Sequence, residues 1–438
     1  MRCEYHASCR VQLWNHAYVD LTYFSHSSIP AWIRLLDRPL ATDQRIALIK
    51  DIFSDDNETK VVRHLHGDDA QSFVDVIDEM MDTLAPWLRR KCLSTLCRIC
   101  DRQGLLPRSV QIPLCFNQAD IPLYEGGFAN VWKGQHQGRE AAVKVLKVYE
   151  TSDFEKIMRR FCKEVMAWKA LCHPNVLPLL GVTMGNRRFI MVSEWMADGN
   201  INEFVKARRN ANRFELLSDV AWGLMYMHGE GVIHGDLKGA NILINKHGHA
   251  CLADFGLIAI VSDPACSTTL TSSTSAGTIR WMSPELLDPD QFGSKDGRPI
   301  KESDCYASGM VTYEILDGQQ PFGSHNVHLV SGKVINGERP GRPLGAEGAW
   351  FTDGLWGMLE QCWSAQPKSR PAIKAILEHL EQASKTWQPF PPGAGDDIET
   401  DDGGSLFAVS HYRMVLHSVS NLMLTSNTLC SEANNSTG

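Results

Sequence analysis

No stretch of the chain has about 20 consecutive apolar residues, the length that a membrane-spanning helix needs. The first residues, MRCEYHASCRVQLWNHAYVDL, have no apolar core of the kind that directs secretion. The 13 cysteines are odd in number and follow no regular spacing, which argues against a disulfide framework. We therefore expect no membrane span and a location in the reducing cytoplasm or in the nucleus.

An excess of positive charge is also missing. Lys and Arg total 43 and Asp and Glu total 51, which gives a net charge of −8. Because nucleic-acid binding rests on the neutralisation of phosphates, and no basic stripe with interleaved aromatic residues occurs, nucleic acid is not an expected partner. An apolar content of 43%, with 12 Trp and 16 Phe, is sufficient for well-packed domains.

One group of cysteines allows two interpretations. Cys97 and Cys100 have the spacing of a metal or redox site, and Cys92 lies five residues before them. No second pair of this kind and no histidine pair follows at zinc spacing. We favour the alternative, a helix whose small apolar residues happen to be cysteines.

The chain divides into four regions that differ in composition and in hydrophobic pattern. Residues 1–106 show helical periodicity, and 107–118 form a linker bracketed by Pro107 and Pro113. Residues 119–384 begin with short β-branched runs and become helix-rich, whereas 385–438 is a largely disordered acidic tail. The N-terminal region is interpreted as a module that docks a partner or inhibits the rest, or as a bundle that only packs. The sequence does not separate these alternatives.

A glycine-rich turn lies between two predicted strands, in YEGGFANVWKG. Gly126 and Gly127 let backbone N–H groups approach a phosphate closely, because no side chain stands between. Lys144, on the strand that follows, can place a positive charge on the same phosphate. Glycine pairs are common in proteins, so this turn alone is weak evidence for a phosphate-binding site.

An amphipathic helix is predicted in TSDFEKIMRRFCKEVMAWKAL. Glu164 lies next to its apolar stripe rather than opposite it. A carboxylate in that place pairs with a cation or is a solvated edge residue. This segment alone favours the solvated residue.

The stretch HGDLKGANILINKHGHACLADFG gathers polar groups between apolar residues. Asn241 and Asp254 offer the amide and carboxylate oxygens that Mg²⁺ prefers, and Mg²⁺ commonly shares its shell with substrate phosphates. Asp236 is then available to accept a proton from an attacking hydroxyl, and Lys238 can neutralise charge on the transferred group. The alternative, two polar turns that flank strands, does not explain the order and spacing of these residues.

Taken together, these motifs resemble the protein kinase signature over residues 119–384. The phrases HGDLKGANILI and GTIRWMSPELLDPD are similar to those of the fungal expansion of the tyrosine-kinase-like branch. The ordered signature residues are Gly126, Lys144, Glu164, Asp236, Asn241, Asp254 and Glu285.

The resemblance implies an α+β, bilobal protein kinase fold, with a β-rich N-lobe and a helical C-lobe, preceded by a helical N-terminal region. It implies transfer of the terminal phosphoryl group of Mg-ATP to Ser or Thr hydroxyls of protein substrates in intracellular signalling. The alternative is a pseudokinase scaffold that binds partners without phosphotransfer. A complete set of Lys144, Glu164, Asp236, Asn241 and Asp254 argues against the scaffold.

The resemblance also assigns roles. Lys144, paired with Glu164, would contact the α- and β-phosphates. The residues that would surround adenine are Val131, Ala142 and Leu243, with backbone groups of Glu194 and Met196. Two structural contacts are implied as well: Asp304 would bind the backbone of the catalytic loop, and Arg370 would pair with Glu285.

Lys238 and Thr278 are typical of Ser/Thr specificity, whereas Trp281 is shared with tyrosine kinases, so dual specificity is the alternative. We expect Thr278 to bond to Asp236 and Lys238. Four positions depart from the family pattern, and two of them, Ala129 and Ser283, are small residues that we expect to have little effect. Tyr124 replaces the first glycine of the turn, where it either leans on the nucleotide or faces solvent. Gly235 replaces the arginine that pairs with an activation-segment phosphate, so we expect activity not to depend on that contact, although Ser262–Gly277 is rich in hydroxyls.

Overall fold

The computed structural model describes residues 40–113, 121–125, 129–147, 154–185, 188–254, 259–260, 278–294, 297–344 and 347–387. The predictions for Gly126, Gly127, Ser262–Gly277 and the tail after residue 387 lie outside these ranges. None of the helices in the described ranges is long and apolar enough to cross a membrane.

Four helices precede the sheet, and we call them the helical module. They are α1 (Thr42–Ser54), α2 (Asp56–Val62), α3 (Gly67–Met80) and α4 (Pro86–Gln103). Helix α4 begins with a proline, whose missing N–H is not needed there, and ends at Gly104 with φ 63°. The three cysteines lie within α4 and are buried, as the helical interpretation predicted.

The N-lobe is a five-stranded antiparallel sheet with the strand order β1-β2-β3-β5-β4. Its strands are β1 (Tyr124–Glu125), β2 (Ala129–His136), β3 (Arg139–Leu146), β4 (Leu179–Gly185) and β5 (Arg188–Glu194). Because side chains alternate along a strand, Ala142 and Lys144 lie on one face of β3 while Val143 and Val145 pack on the other.

Helix α5 (Phe154–Lys169) crosses from β3 to β4. The predicted apolar stripe is present, since Phe161 and Val165 are buried and Phe161 packs on Phe189 of the sheet with ring centroids 5.0 Å apart. Cys162 and Met166, outside that stripe, are also buried. The helix is therefore covered on more than the side that faces the sheet.

The C-lobe is helical, with short strands that shape the loops of the candidate site. Its helices are α6 (Ile201–Ala207), α7 (Arg213–Gly229), α8 (Pro284–Leu287), α9 (Lys301–Asp317), α10 (Val327–Ile335), α11 (Asp353–Cys362) and α12 (Ile373–Thr386). Its strands form two antiparallel pairs, β6 (Val232–Ile233) with β9 (Ala259–Ile260) and β7 (Ile242–Ile244) with β8 (Ala250–Leu252). The predicted α+β architecture with a preceding helical region is confirmed. One apolar core runs from the helical module into the C-lobe.

Candidate active site

The loop between β6 and β7 presents a carboxylate whose two oxygens differ. Oδ2 of Asp236 accepts hydrogen bonds from Nζ of Lys238 at 3.0 Å and from Nδ2 of Asn241 at 2.9 Å. Oδ1 is buried and has no hydrogen-bond partner in the described part of the chain. The side chain is thus held by one oxygen, and the other is available to accept a proton or a hydrogen bond.

The side chain of Asn241 is oriented by its amide nitrogen. Nδ2 also donates to the backbone carbonyl of Asp236 at 2.8 Å, which fixes the direction of the amide group. Its carbonyl oxygen, Oδ1, is buried without a hydrogen-bond partner among the described residues. A buried amide oxygen left over in this way fits a cation ligand, because an unsatisfied acceptor is otherwise costly.

Asp254 follows β8 and faces the N-lobe sheet. Its φ is 51°, a left-handed conformation that an aspartate adopts at lower cost than most residues. Its Oδ1 accepts a hydrogen bond from Nζ of Lys144 at 2.7 Å. Burial lowers the pKa of the Lys144 ammonium, but the charge of Asp254 and the nearby Glu164 raise the pKa above its ordinary value. The structure therefore brings the predicted strand lysine, helix glutamate and loop aspartate together.

Lys238 links the loop to the segment before α8. Besides Asp236, its Nζ donates to Oγ1 of Thr278 at 3.0 Å, which is one of the two contacts predicted for Thr278. Both Lys238 and Thr278 are buried, so their bond is shielded from water. This geometry holds the ammonium group of Lys238 in place beside the carboxylate of Asp236, which is available to accept a proton.

Asp304, at the start of α9, holds the loop between β6 and β7 in place through its carboxylate. Its carboxylate accepts the backbone N–H groups of His234 and Gly235, each at 2.9 Å, and is 2.8 Å from Nε2 of His228. Burial alone would raise the pKa of Asp304, but the bonds from His228 and Gly235 keep it below its ordinary value. Gly235 has φ 75°, so the residue that departs from the family pattern lies where glycine is favoured.

Glu314 of α9 is a supporting residue that the sequence analysis missed. Its carboxylate accepts hydrogen bonds from the backbone of Gly239 at 3.0 Å, from Nε1 of Trp281 at 2.9 Å and from Nδ2 of Asn202 at 2.7 Å. Gly239 approaches so closely that an added Cβ would lie 2.5 Å from Asn202. The available signal was a carboxylate next to the apolar residues Ile315 and Leu316 in the second half of α9.

Glu314 gives a testable pH dependence. Burial raises its pKa from 4.5 to about 7, although the three donors act in the opposite direction. The folded state then binds the proton more tightly, so this contribution to stability is present below pH 4.5 and is lost as the pH rises to about 7. Between these limits we expect the unfolding free energy of the wild type to fall by about 3 kcal/mol more than that of Glu314→Gln.

Urea unfolding of both proteins at pH values of about 5 and about 8 measures this difference. Other titrating groups are shared by the two proteins and cancel in the comparison. Parallel pH profiles for the wild type and Glu314→Gln would contradict the expectation.

The predicted adenine contacts occupy both lobes. Val131 and Ala142 belong to a small apolar cluster on one face of the sheet, whereas Leu243 of β7 belongs to the main core. Glu194 ends β5, and Met196 follows in the connection between the lobes, where its carbonyl accepts from Gly199 at 3.2 Å. These five predicted residues thus come from the sheet, from the connection between the lobes and from the C-lobe.

Tyr124 does not face solvent, so one of its two predicted orientations is wrong. It pairs with Val131 across β1 and β2, which places both side chains on the same face of the sheet. Its exposure is 1%, and it shares the small cluster of Val131 and Ala142. The phenol ring therefore packs on the face of the sheet that carries Val131 and Ala142, the predicted adenine contacts.

Arg370 and Glu285 form the predicted ion pair. Both guanidinium nitrogens donate to the carboxylate at 2.6 Å, and both side chains are buried. Arg370 also donates to the carbonyls of Ser364 and Glu302, each at 2.9 Å. The pair fixes the chain just after Thr278 to the base of the C-lobe.

The comparison with known families agrees with this geometry. A family model described as protein tyrosine and serine/threonine kinase matches residues 118–380, which is more than half of the chain. The chain belongs to this protein kinase family. The family predicted from the motifs is confirmed, and its assignment to the fungal part of the tyrosine-kinase-like branch stays a prediction.

Curated relatives of the kinase include three from Arabidopsis thaliana. Serine/threonine-protein kinase STY17 is 28% identical over 262 residues, which is 59% of this chain and 43% of that protein. Serine/threonine-protein kinase CTR1 is 30% identical over 305 residues, 67% of this chain and 34% of that protein. Serine/threonine-protein kinase VIK is 28% identical over 271 residues, 60% of this chain and 59% of that protein. The chain thus spans less than two thirds of the length of each of these relatives.

Proposed function

We propose that this chain is an ATP-dependent protein serine/threonine kinase that acts on protein substrates in intracellular signalling. The observation that carries the proposal is the divided carboxylate of Asp236, with Oδ2 held by Lys238 and Asn241 and Oδ1 left without a donor. A proton acceptor for a substrate hydroxyl needs this arrangement, because it must be oriented and still have a free lone pair.

The transfer is a displacement at the terminal phosphorus of ATP. The substrate oxygen forms a bond to phosphorus, the bond to the β-phosphate oxygen breaks, and ADP leaves. Asp236 orients the hydroxyl and takes its proton at Oδ1. Lys238 neutralises charge that develops on the transferred group.

Nucleotide binding uses both lobes. Val131 and Ala142 contact adenine from the sheet and Leu243 from the C-lobe, with backbone bonds from Glu194 and Met196. The glycine turn at Gly126 and Gly127 contacts phosphates through backbone N–H groups. Lys144, kept near the site by Asp254 and Glu164, contacts the α- and β-phosphates.

Asn241 and Asp254 would hold Mg²⁺. The unpartnered Oδ1 of Asn241 and the carboxylate of Asp254 are hard oxygen donors, and they fit this ion. When bound, Mg²⁺ neutralises the charge of the β- and γ-phosphates. Lys144, beside Asp254 and near Glu164, would contact the phosphates as well.

The preference for Ser and Thr rests on the bond between Lys238 and Thr278, which fixes the positions of these two side chains beside Asp236. The compartment proposed is the cytoplasm or nucleus. It is supported by the thiols, since all eight cysteines of the described ranges are free and seven of them are buried. We assign the kinase domain to residues 119–384, preceded by the helical region 1–106 and the linker 107–118.

Phosphotransfer from Mg-ATP to a generic protein substrate tests this function. We expect label on Ser and Thr, and we expect an excess of EDTA to abolish transfer because Asn241 and Asp254 then lack their ion. Activity restored by Mg²⁺ after the chelator is titrated out would support the proposal. A folded wild type that transfers no phosphate would overturn it in favour of a pseudokinase scaffold, and label on Tyr alone would overturn the Ser/Thr assignment.

A further inference from the structure

Helix α5, which carries Glu164, packs more extensively on α4 of the helical module than on the strands of its own lobe. Its residue Met166 is buried although it lies outside the stripe that faces the sheet, whereas Cys162 contacts Met184 of β4. On the module side, Cys97 lies 4.0 Å from the carbonyl of Lys163, and the end of the Met158 side chain fills the space beside Gly104. The helix is therefore enclosed between the sheet and the module.

Arg89 of α4 joins the ends of two helices that belong to different lobes. Its Nη2 donates to the carbonyl of Ala170, directly after α5, at 2.5 Å. Its Nε donates to Glu230, directly after α7, at 2.9 Å. A guanidinium at two helix C-termini is favourable, because each terminus carries partial negative charge. The side chain is only 14% exposed, so water screens these bonds weakly.

The end of α5 has a second attachment to the module. Lys169 pairs with Asp78 of α3 at 2.6 Å, and the same carboxylate accepts Oγ of Ser109 at 2.5 Å. The chain then continues along the sheet, where the backbone N–H of Ile112 donates to the carbonyl of Val182 in β4 at 2.9 Å. The module is thus bound to α5, to the sheet edge and to the end of α7.

These contacts bear on catalysis through Glu164 and the catalytic loop. The position of α5 determines how near Glu164 lies to Lys144. The end of α7 leads within three residues to β6 and then to His234 and Asp236. An element that ties the end of α5 to the end of α7 therefore sets the distance between the two halves of the site.

We propose that the helical module is an intramolecular positioning element of the kinase, and that Arg89 is its main positioning residue. The module acts in favour of activity by holding α5 and the C-lobe in the catalytic arrangement, which is opposite to autoinhibition. This inference rests on the proposed kinase function.

The test uses the full chain and compares Arg89→Ala with Asp82→Ala. Asp82 also bonds to Arg89, at 2.9 Å, but it is 93% exposed and lies within the module, so its removal leaves the links to Ala170 and Glu230 intact. Glu230→Gln removes only the negative charge on the C-lobe side. Arg89→Lys keeps the positive charge but lacks the several fixed N–H donors of the guanidinium group.

The readouts are kcat, the KM for ATP, and amide hydrogen exchange in α5. We expect kcat of Arg89→Ala to fall about tenfold, with faster exchange confined to α5 and the end of α7. Glu230→Gln and Arg89→Lys should be intermediate, and Asp82→Ala should match the wild type. An equal loss in Asp82→Ala, an unchanged kcat in Arg89→Ala, or a kcat that rises as an inhibitory module requires would overturn the proposal.

The exchange measurement separates this inference from the proposed function. If the wild type transfers no phosphate, the function fails while the coupling of α5 to α7 is still measurable. Unchanged exchange in α5 of Arg89→Ala would overturn the coupling whether or not the wild type is active.

Discussion

Asp236→Asn is expected to lose about 10²–10⁴-fold in kcat, the usual contribution of a positioned proton acceptor. The amide of asparagine has the size of the carboxylate but accepts no proton at neutral pH. Its carbonyl oxygen can keep the bonds from Lys238 and Asn241 that Oδ2 now accepts, which places the N–H₂ group at the position of Oδ1, where the proton would have to be accepted. Affinity for ATP should persist, because the predicted adenine and phosphate contacts come from other residues.

Asp219→Asn is the matched control for this variant. Its side chain has the same 15% exposure as that of Asp236 and also accepts hydrogen bonds, from His249 and from the backbone of Ala250. Steady-state phosphotransfer and equilibrium nucleotide binding are measured for both variants. A kcat of Asp236→Asn equal to that of Asp219→Asn would show that Asp236 does not accept the proton.

Glu285→Gln is expected to lower the free energy of unfolding by about 3–5 kcal/mol. The change leaves the Arg370 guanidinium buried without its charge partner, while its bonds to the carbonyls of Ser364 and Glu302 persist. Removal of one member of a buried pair is costly because the remaining charge is neither solvated nor compensated. Urea unfolding monitored by Trp fluorescence measures the loss.

Glu338→Gln is the control, because its partner Lys333 lies at a comparable 2.6 Å but Glu338 is 54% exposed. We expect at most about 1 kcal/mol for this surface pair. Equal losses in the two variants would mean that burial does not distinguish the pairs. A double replacement, Glu285→Leu with Arg370→Met, should be less harmful than Glu285→Gln, since it leaves no unpaired charge.

The catalytic loop and its anchors were the most predictable part of the molecule. Asp304, Arg370 and Glu285 occur in fixed order within a signature whose spacing reflects one geometry, and each makes the contact expected of it. Lys238 and Thr278 are likewise 40 residues apart in sequence and bonded in the structure. Signatures of this kind carry long-range contacts because several groups must meet a single ligand.

Contacts outside the signature were not predictable. Periodicity showed which face of α5 is apolar, but it contains no information on a second covering layer. The module side of that helix includes the buried Lys163, whose carbonyl lies 4.0 Å from Sγ of Cys97. Glu314 was missed because its three donors come from three separate segments. A pattern read along one segment cannot show what other segments bring to it.

The burial of Tyr124 has a consequence for how the kinase responds to nucleotide concentration. A base that contacts Val131 and Ala142 competes with the phenol ring for the same two surfaces. The free energy needed to displace the ring therefore reduces the binding free energy of the nucleotide. Each ~1.4 kcal/mol of this cost weakens the apparent affinity tenfold. If ATP binds as proposed, Tyr124 is a tethered competitor of its base, and the working range of the enzyme is shifted toward higher nucleotide concentrations.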